Sequence, residues 1–292
     1  MMKKVIVVVC VAALICIWFI NSELGMVEVK ETKEFDSDNL HHLDFQTTAA
    51  TIEVVPSPTD FLTVELEGKI EKKLKNKVHL NIVENNDRLE IAYLPKNNRL
   101  GLKLGSEKGV ILRVKLPEKM YKELSIHTTS GDIHLENIIS ENMNITSTSG
   151  NQAMENSESK GTMILQTTSG NFELQQNRFN DFSVESTSGD VNLAYFIAEK
   201  GKVKTKSGDV HILLDEMIHN LAINTTSGSV NTTFNKNPQS LKLDFKGSSG
   251  KAIIQLEDIL YEEKDEDRTI GTIGNGVNTL SVKTTSGGLT VK

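Results

Sequence analysis

Cysteine is missing from almost the whole chain. Cys10 and Cys16 both lie in an apolar N-terminal stretch, and none follows. No intrachain disulfide can form in the remainder, whose stability must come from packed apolar surface. This does not exclude export, because many exported bacterial proteins avoid cysteine altogether. Aromatic residues make up only 5% of the chain and proline only five residues. Threonine, serine, asparagine and glycine are frequent instead, a balance that favours strands and tight turns over helices. Positive charge is also in deficit, with 32 Lys and Arg against 39 Asp and Glu, a formal net charge of −7. An acidic surface repels nucleic acid and anionic headgroups, so neither is a natural partner of the soluble part. The 292 residues, 38% hydrophobic and 24% charged, suffice for one large domain or two small ones.

Motifs that would carry catalysis are missing too. The seven histidines (His41, His42, His79, His127, His134, His211 and His219) include no pair at H-E-x-x-H spacing, and no G-x-S-x-G nucleophile turn occurs. The expectation is no catalytic, cofactor-binding or metal-binding residue and no cofactor.

One long hydrophobic run is present. After the basic lead Met1-Met2-Lys3-Lys4, residues Val5 to Ile20 are continuously apolar. As a helix they would rise about 24 Å, slightly short of a hydrocarbon core of about 30 Å. Snorkelling Lys3 and Lys4 and an interfacial Trp18 make up the difference. The exit at Ile20-Asn21-Ser22 offers no A-x-A cleavage site, and Leu14-Ile15 before Cys16 does not suit a lipoprotein signal. Residues 1–21 are therefore expected to be an uncleaved transmembrane anchor, a cleaved signal being the alternative. With the basic end inside, the C-terminal domain faces outward. Residues 22–40 are polar and read as a stalk.

Beyond it, a short motif repeats. It stands at Thr128-Thr129-Ser130-Gly131-Asp132, Ser147-Thr148-Ser149-Gly150-Asn151, Thr167-Thr168-Ser169-Gly170-Asn171 and Ser186-Thr187-Ser188-Gly189-Asp190. Further copies are Thr205-Lys206-Ser207-Gly208-Asp209, Thr225-Thr226-Ser227-Gly228-Ser229, a drifted Gly247-Ser248-Ser249-Gly250-Lys251 and Thr284-Thr285-Ser286-Gly287-Gly288. From Ser130 to Ser227 the step is always 19 or 20 residues.

Aligned on the serine, apolar residues stand six and four positions before it, as in Leu124/Ile126, Met143/Ile145, Met163/Leu165 and Phe182/Val184; Gly201 is the exception. After the Ser-Gly they fall three and five positions on, as in Ile133/Leu135, Phe172/Leu174, Val191/Leu193 and Val210/Ile212. Alternation marks a strand, and the even-to-odd switch marks a corner between two strands, with Gly supplying the corner's backbone angles and Asp or Asn capping the turn.

One such unit cannot bury its apolar face alone, but parallel stacking at about 4.8 Å per coil can. The expected fold is all-β: a single-stranded parallel β-solenoid (β-helix) of about eight coils with an antiparallel strand cap, plus the N-terminal transmembrane helix. Thr and Ser at the corners are expected to form hydroxyl ladders between coils.

Residues 41–120 would hold a first, degenerate coil with Ala49-Ala50 at its corner, then antiparallel cap strands with a hairpin turn at Asn85-Asn86-Asp87. Residues 121–292 would be the solenoid repeats. They are interrupted by an acidic insertion, 257–268, too densely charged to pack and read as an excursion. Leu280 to Lys292 would close as the final coil.

Three features invite a chemical reading. Asp132, Asp190 and Asp209 share a column, and adjacent carboxylates about 5 Å apart would suit retaining glycoside hydrolysis. Asn and Ser replace Asp in other copies, which suits a turn role better. Calcium is a further reading, but the Gly-rich Asp nonapeptide of calcium-binding β-rolls is absent from the column, and the 257–268 loop, the better metal candidate, lacks ordered ligand spacing. Outward pairs such as Glu185/Thr187 and Lys204/Lys206 are too irregular for an ice-ordering threonine array.

The repeated T-T-S-G-D corner, the anchor-like start, the strand block ending at Leu116-Pro117 and the closing G-x-G-N-G…T-T-S-G copy resemble the bacterial putative-adhesin family that includes LiaG-like proteins. The resemblance covers residues 40–292. It implies a β-solenoid on the outer face of the cell membrane, a place in the cell envelope of Gram-positive bacteria, and no established catalytic site. The expected function is a non-enzymatic binding or structural surface for an envelope protein or cell-wall polymer. The alternatives are an accessory regulator or sensor of envelope stress and a polysaccharide-active β-helix enzyme.

Overall fold

The structure, a computed structural model, describes residues 25–95 and 107–292. The expected anchor, 1–21, lies outside these residues. No helix among the described residues is long and apolar enough to cross a membrane. The all-β expectation holds for the described residues, which form a 12-stranded and a 13-stranded sheet.

Each repeat is an arch. The strand Met120–Thr128 enters the 13-stranded sheet, the chain turns at Thr129-Ser130-Gly131-Asp132, and Ile133–Glu136 enters the 12-stranded sheet. A second, short turn leads to Ile139–Ser147, which pairs in parallel with Met120–Thr128. The long strands thus build one sheet and the short strands the other, with alternate side chains pointing into the space between them.

The register matches the repeat alignment. Leu124, Met143, Met163, Phe182, Gly201 and Leu221 stand in one column, and Ile126, Ile145, Leu165, Val184, Val203 and Ile223 in the next. All but Gly201 belong to the buried core. Burial of each such aliphatic side chain contributes about 1.5–3 kcal/mol, and stacking repeats that contribution along the molecule. Gly201 has a simple cause. A Cβ there would lie 2.4 Å from the ring of Phe182, the residue opposite it in the adjacent strand. Phe182 occupies both places and packs edge-on against Phe196, ring centroids 5.5 Å apart. In the short-strand sheet Ile133, Phe172, Val191, Val210 and Val230 form the facing column, with Gln152 as its buried polar member.

The corners differ from expectation in mechanism. None of the Ser-Gly glycines has a positive φ. Glycine is required there by close approach: a Cβ on Gly150 would lie 1.8 Å from the carbonyl oxygen of Gly131, and one on Gly189 would lie 1.7 Å from that of Gly170. Each corner glycine sits on the carbonyl of the corner below. The hydroxyls mostly act within their own corner. Thr128 Oγ1 accepts the N–H of Gly131 at 3.0 Å, and Thr167, Ser186, Thr205, Thr225 and Thr284 accept that of the glycine three residues on. Coil-to-coil hydroxyl bonds are found at Thr47–Thr128 and Ser147–Thr167.

At the C-terminal end the spatial order departs from the chain order. Thr279–Thr284 lies between Asn220–Thr225 and Leu241–Gly247, parallel to both. Leu289–Val291 likewise lies between Val230–Phe234 and Ala252–Ile254. The last arch of the chain is therefore the penultimate layer, covered by the arch that precedes it in sequence. The acidic segment is no excursion: Arg268–Ile273 pairs antiparallel with Leu241–Gly247, and Leu260–Lys264 pairs antiparallel outside it. Thr269, Gly271 and Ile273 turn inward, while every residue of Leu260–Lys264 is exposed. The charges sit on a sheet edge, where they disfavour pairing with another chain.

The other end is built alike. His42–Thr47 and Thr51–Pro56 form the first arch, but Arg88–Pro95 and Glu107–Leu116 pair in parallel on its outer side. The block expected as purely antiparallel thus contributes a further parallel layer. Phe61–Glu71 and Val78–Asn85 cover it in antiparallel fashion, and Asn86 (φ 54°) forms the tight turn expected at 85–87. Met26–Asp36, expected as a stalk, is an edge strand antiparallel to Phe61–Glu71. Val27, Val29 and Phe35 pack against the core between charged residues, too few apolar side chains to reveal a strand in composition.

Two outcomes follow from this packing. Gly189→Ala must displace backbone and lowers stability by about 1–3 kcal/mol or more, whereas Gly25→Ala, with open space around it, stays within about 0.5 kcal/mol. Leu280→Ala lowers stability by about 2–5 kcal/mol, like an interior leucine, despite its nearness to the C-terminus. Both are read from denaturant midpoints at unchanged m.

Candidate binding cleft along the second corner

The aspartate column is a ladder. Asp132 Oδ1 accepts the backbone N–H of Asn151 at 2.8 Å, and Asn151 Oδ1 accepts that of Asn171 at 2.9 Å. The series continues from Asn171 to Asp190, Asp190 to Asp209 and Asp209 to Ser229. Each side chain caps the next coil's corner, where a cap on its own turn was expected. An amide oxygen serves as well as a carboxylate, which explains the exchange of Asn for Asp.

Other candidate groups are dispersed. His127 Nδ1 meets Thr146 Oγ1 at 2.8 Å, His42 lies between Asp87 and Glu123 at 3.5 and 3.2 Å, and His219 pairs with Glu199 at 2.7 Å. His134 and His211 stand outward and exposed on the short-strand sheet. The acidic hairpin is engaged in local pairs: Glu262 accepts from Thr272, Glu263 faces Arg268, and Glu266 accepts from Lys251, whose hydrogen bond and positive charge lower the Glu266 pKa. No group of three or more His, Cys, Asp or Glu able to hold a metal ion is found among the described residues.

A concavity lies at the loose return between coils. The turn from short strand back to long strand places Asn137, Asn156, Gln176 and Tyr195 in left-handed conformation, with φ between 47° and 56°. One such residue occurs per coil, so their exposed side chains repeat along the stack at about 4.8 Å. The amide of Asn156 donates to that of Asn137, and Asn137 donates to Glu136 at 3.0 Å. Behind them, buried Ser157 and Asn177 secure the turns. Asn177 Oδ1 accepts the N–H of Ser157 at 2.9 Å and its Nδ2 donates to Met154 O, while Ser157 Oγ accepts the N–H of Ile138. The resulting cleft of about 590 Å³ is bordered by Pro56, Glu118, Glu158 and Arg178, and by exposed Tyr195 and Ile197. Its floor offers amide donors and acceptors, and its far end an aromatic ring and an aliphatic side chain. Non-glycine residues of differing type in a left-handed turn leave little trace in sequence; the N-I, N-S, Q-N and Y-F pairs one repeat apart were the available signal.

The profile of the Toastrack DUF4097 family matches residues 40–292, and the chain belongs to that family. No curated protein matches the chain significantly. Among solved structures, the protein is similar in fold to a putative adhesin from Bacteroides fragilis (12% identity, TM-score 0.52, covering 90% of this chain and 97% of that one). It is likewise similar to a putative lipid binding protein from Parabacteroides distasonis (15% identity, TM-score 0.51, covering 90% and 96%).

The ladder assignment separates a structural from a catalytic aspartate. Asn171→Ala removes the acceptor for the Asp190 N–H and lowers stability by about 1 kcal/mol. Asp209→Asn keeps an Oδ1 acceptor and shifts stability by less than about 0.5 kcal/mol. Urea denaturation of both variants measures the difference.

Proposed function

We propose that this Toastrack DUF4097 protein is a non-enzymatic, membrane-anchored envelope protein whose stacked arches hold the second-corner cleft against an extended cell-wall polymer outside the cell. The observation that carries this reading is the periodicity of the cleft. Asn137, Asn156, Gln176 and Tyr195 offer a polar or aromatic contact once per coil, an array suited to a chain of repeating units and poorly suited to one small molecule. Amides that donate and accept, with a ring and an aliphatic side chain beside them, match the mixed polar and apolar faces of a polyhydroxylated chain. The rigid parallel stack preorganises these contacts, so little ordering opposes binding. The engagement of Asp132, Asp190 and Asp209 in backbone hydrogen bonds and the adhesin name of a fold neighbour support a binding role over hydrolysis. The apolar run at residues 5–20 supports the anchor.

Co-sedimentation of the full chain, held in non-ionic detergent micelles, with isolated cell-wall sacculi tests the proposal. The expected result is retention by sacculi that weakens about tenfold on Gln176→Ala/Tyr195→Ala, with Asp190→Asn unchanged and no soluble sugar released. Retention insensitive to the cleft double variant, or sugar release abolished by Asp190→Asn, overturns it. Protease added to intact cells is expected to remove the domain and leave the anchor fragment in the membrane fraction.

A further inference from the structure

The outer face of the long-strand sheet changes character along the stack. At one end its outward positions are mixed: Asp44, Glu90, Ser125, Asn144 and Ser183 stand beside Arg88, which is paired with Glu123 at 3.4 Å. At the other they become basic. The strand Ile197–Thr205 turns Lys202 and Lys204 outward, Lys206 follows at the corner, Thr279–Thr284 turns Lys283 outward, and Leu241–Gly247 turns Lys242 and Lys246 outward. Lys283 joins this face because the last arch is inserted between its predecessors. In sequence, Lys246 and Lys283 are far apart; in the sheet they are direct register partners. Lys204 lies in the same row, separated from Lys283 by Asn224 alone.

The lysines are placed at an electrostatic disadvantage. Like charges directly opposite in adjacent strands repel, and the spacing between neighbouring strands is about 4.8 Å. The carboxylates nearby are already engaged. Asp244, between Lys242 and Lys246, is held by Arg268 at 2.7 and 3.3 Å, and Glu185, the register partner of Lys204, is shared with Lys202, which bonds it at 3.2 Å. No carboxylate pairs with Lys204, Lys206, Lys242, Lys246 or Lys283 among the described residues. A chain of net charge −7 thus concentrates an excess of positive charge on one face, greatest at the Lys246–Lys283 pair.

We propose that this lysine face is a second binding surface, separate from the cleft, for an extended phosphate-bearing polymer. Three features select that occupant. The free cations are all lysines, point charges suited to phosphate without directional demands, whereas the one arginine of the patch, which would favour planar carboxylates, is already bidentate to Asp244. The charges extend in two directions, about 7 Å apart along a strand and about 4.8 Å apart or a small multiple of it across strands, so they engage a chain rather than a single ion. The outward positions of these strands carry no aromatic side chain, so the face lacks the stacking platforms that single-stranded nucleic acid requires. A bound polyanion relieves the repulsion between Lys246 and Lys283 and releases its own counterions.

The test uses the full chain in non-ionic detergent and end-labelled linear inorganic polyphosphate, followed by fluorescence anisotropy across a salt series. The charge-reversed variant Lys204→Glu/Lys246→Glu/Lys283→Glu is compared with Lys72→Glu/Lys75→Glu/Lys77→Glu, which changes net charge equally at the opposite end. The milder Lys204→Gln/Lys246→Gln/Lys283→Gln guards against misfolding of the first. Wild type is expected to bind polyphosphate more tightly than poly-L-glutamate. Both patch variants are expected to weaken binding at least tenfold, with the salt slope falling by about 2, while the distal variant retains binding. Equal loss in the distal variant, or no binding by wild type, overturns the proposal. So does tighter binding to phosphatidylglycerol vesicles than to polyphosphate, or self-association in sedimentation velocity that the patch variants alone abolish; these outcomes reassign the face to a lipid surface or a second copy. Because the cleft is untouched by these substitutions, sacculus binding through it stands or falls independently.

Discussion

The contact between a corner glycine and the carbonyl of the glycine in the adjacent coil governs the rest of the molecule. With a separation of less than 2 Å between an imagined Gly150 Cβ and Gly131 O, no other residue fits without moving backbone. The contact locks each corner over its neighbour, and both sheets inherit their register from it. Register in turn decides which face of every strand is buried, since a slip of one residue would turn the Leu124 and Ile126 columns toward water. The Asp and Asn ladder beside the glycines reinforces the same alignment through side chain to backbone bonds. Local chemistry at five residues per repeat therefore specifies a long-range arrangement.

That division leaves the outward positions free of structural duty. Inward columns are mostly aliphatic, with a few aromatics and the polar Gln152, and Gly201 is a packing solution with Phe182. Outward positions vary from His127 through Thr146 and Gln166 to Glu185 and Lys204 while the strands beneath them stay in register. A scaffold of this kind can carry unrelated surfaces on different faces and at different heights. The cleft along the left-handed turns and the lysine face are two such surfaces, and they draw on different positions of the repeat.

The sequence made the columns legible because they repeat: Ser-Gly spacing and the even-to-odd switch of apolar positions are strong signals, and the observed pairing follows them. What it concealed has physical reasons. The role of the corner glycine was misread because absence of a Cβ serves close approach as well as unusual φ, and spacing does not distinguish the two. The insertion of Leu280 and Val282 between Ile223 and Phe245 was invisible because strand-to-strand contact among similar aliphatic columns is interchangeable; any neighbour satisfies the pattern. The strand Met26–Asp36 was hidden by its edge position, where only Val27, Val29 and Phe35 reach the core. The cleft escaped notice because left-handed Asn, Gln and Tyr residues share a conformation and no chemical type.

The interleaving of the last arch carries a consequence for how the molecule is made and how it can change. When residues 241–254 leave the ribosome, the neighbour they will eventually rest on has not been synthesised, so the layer they form must wait, or sit provisionally on Asn220–Thr225, until residues 279–291 arrive. Closure of this part of the wall thus depends on residues 279–291, whose removal takes out a middle piece instead of a loose tail. With both extremities closed in this way, whole coils can be gained or lost only in the uniform stretch between them. The height of the structure is thereby adjustable by duplication, while its two ends stay the same.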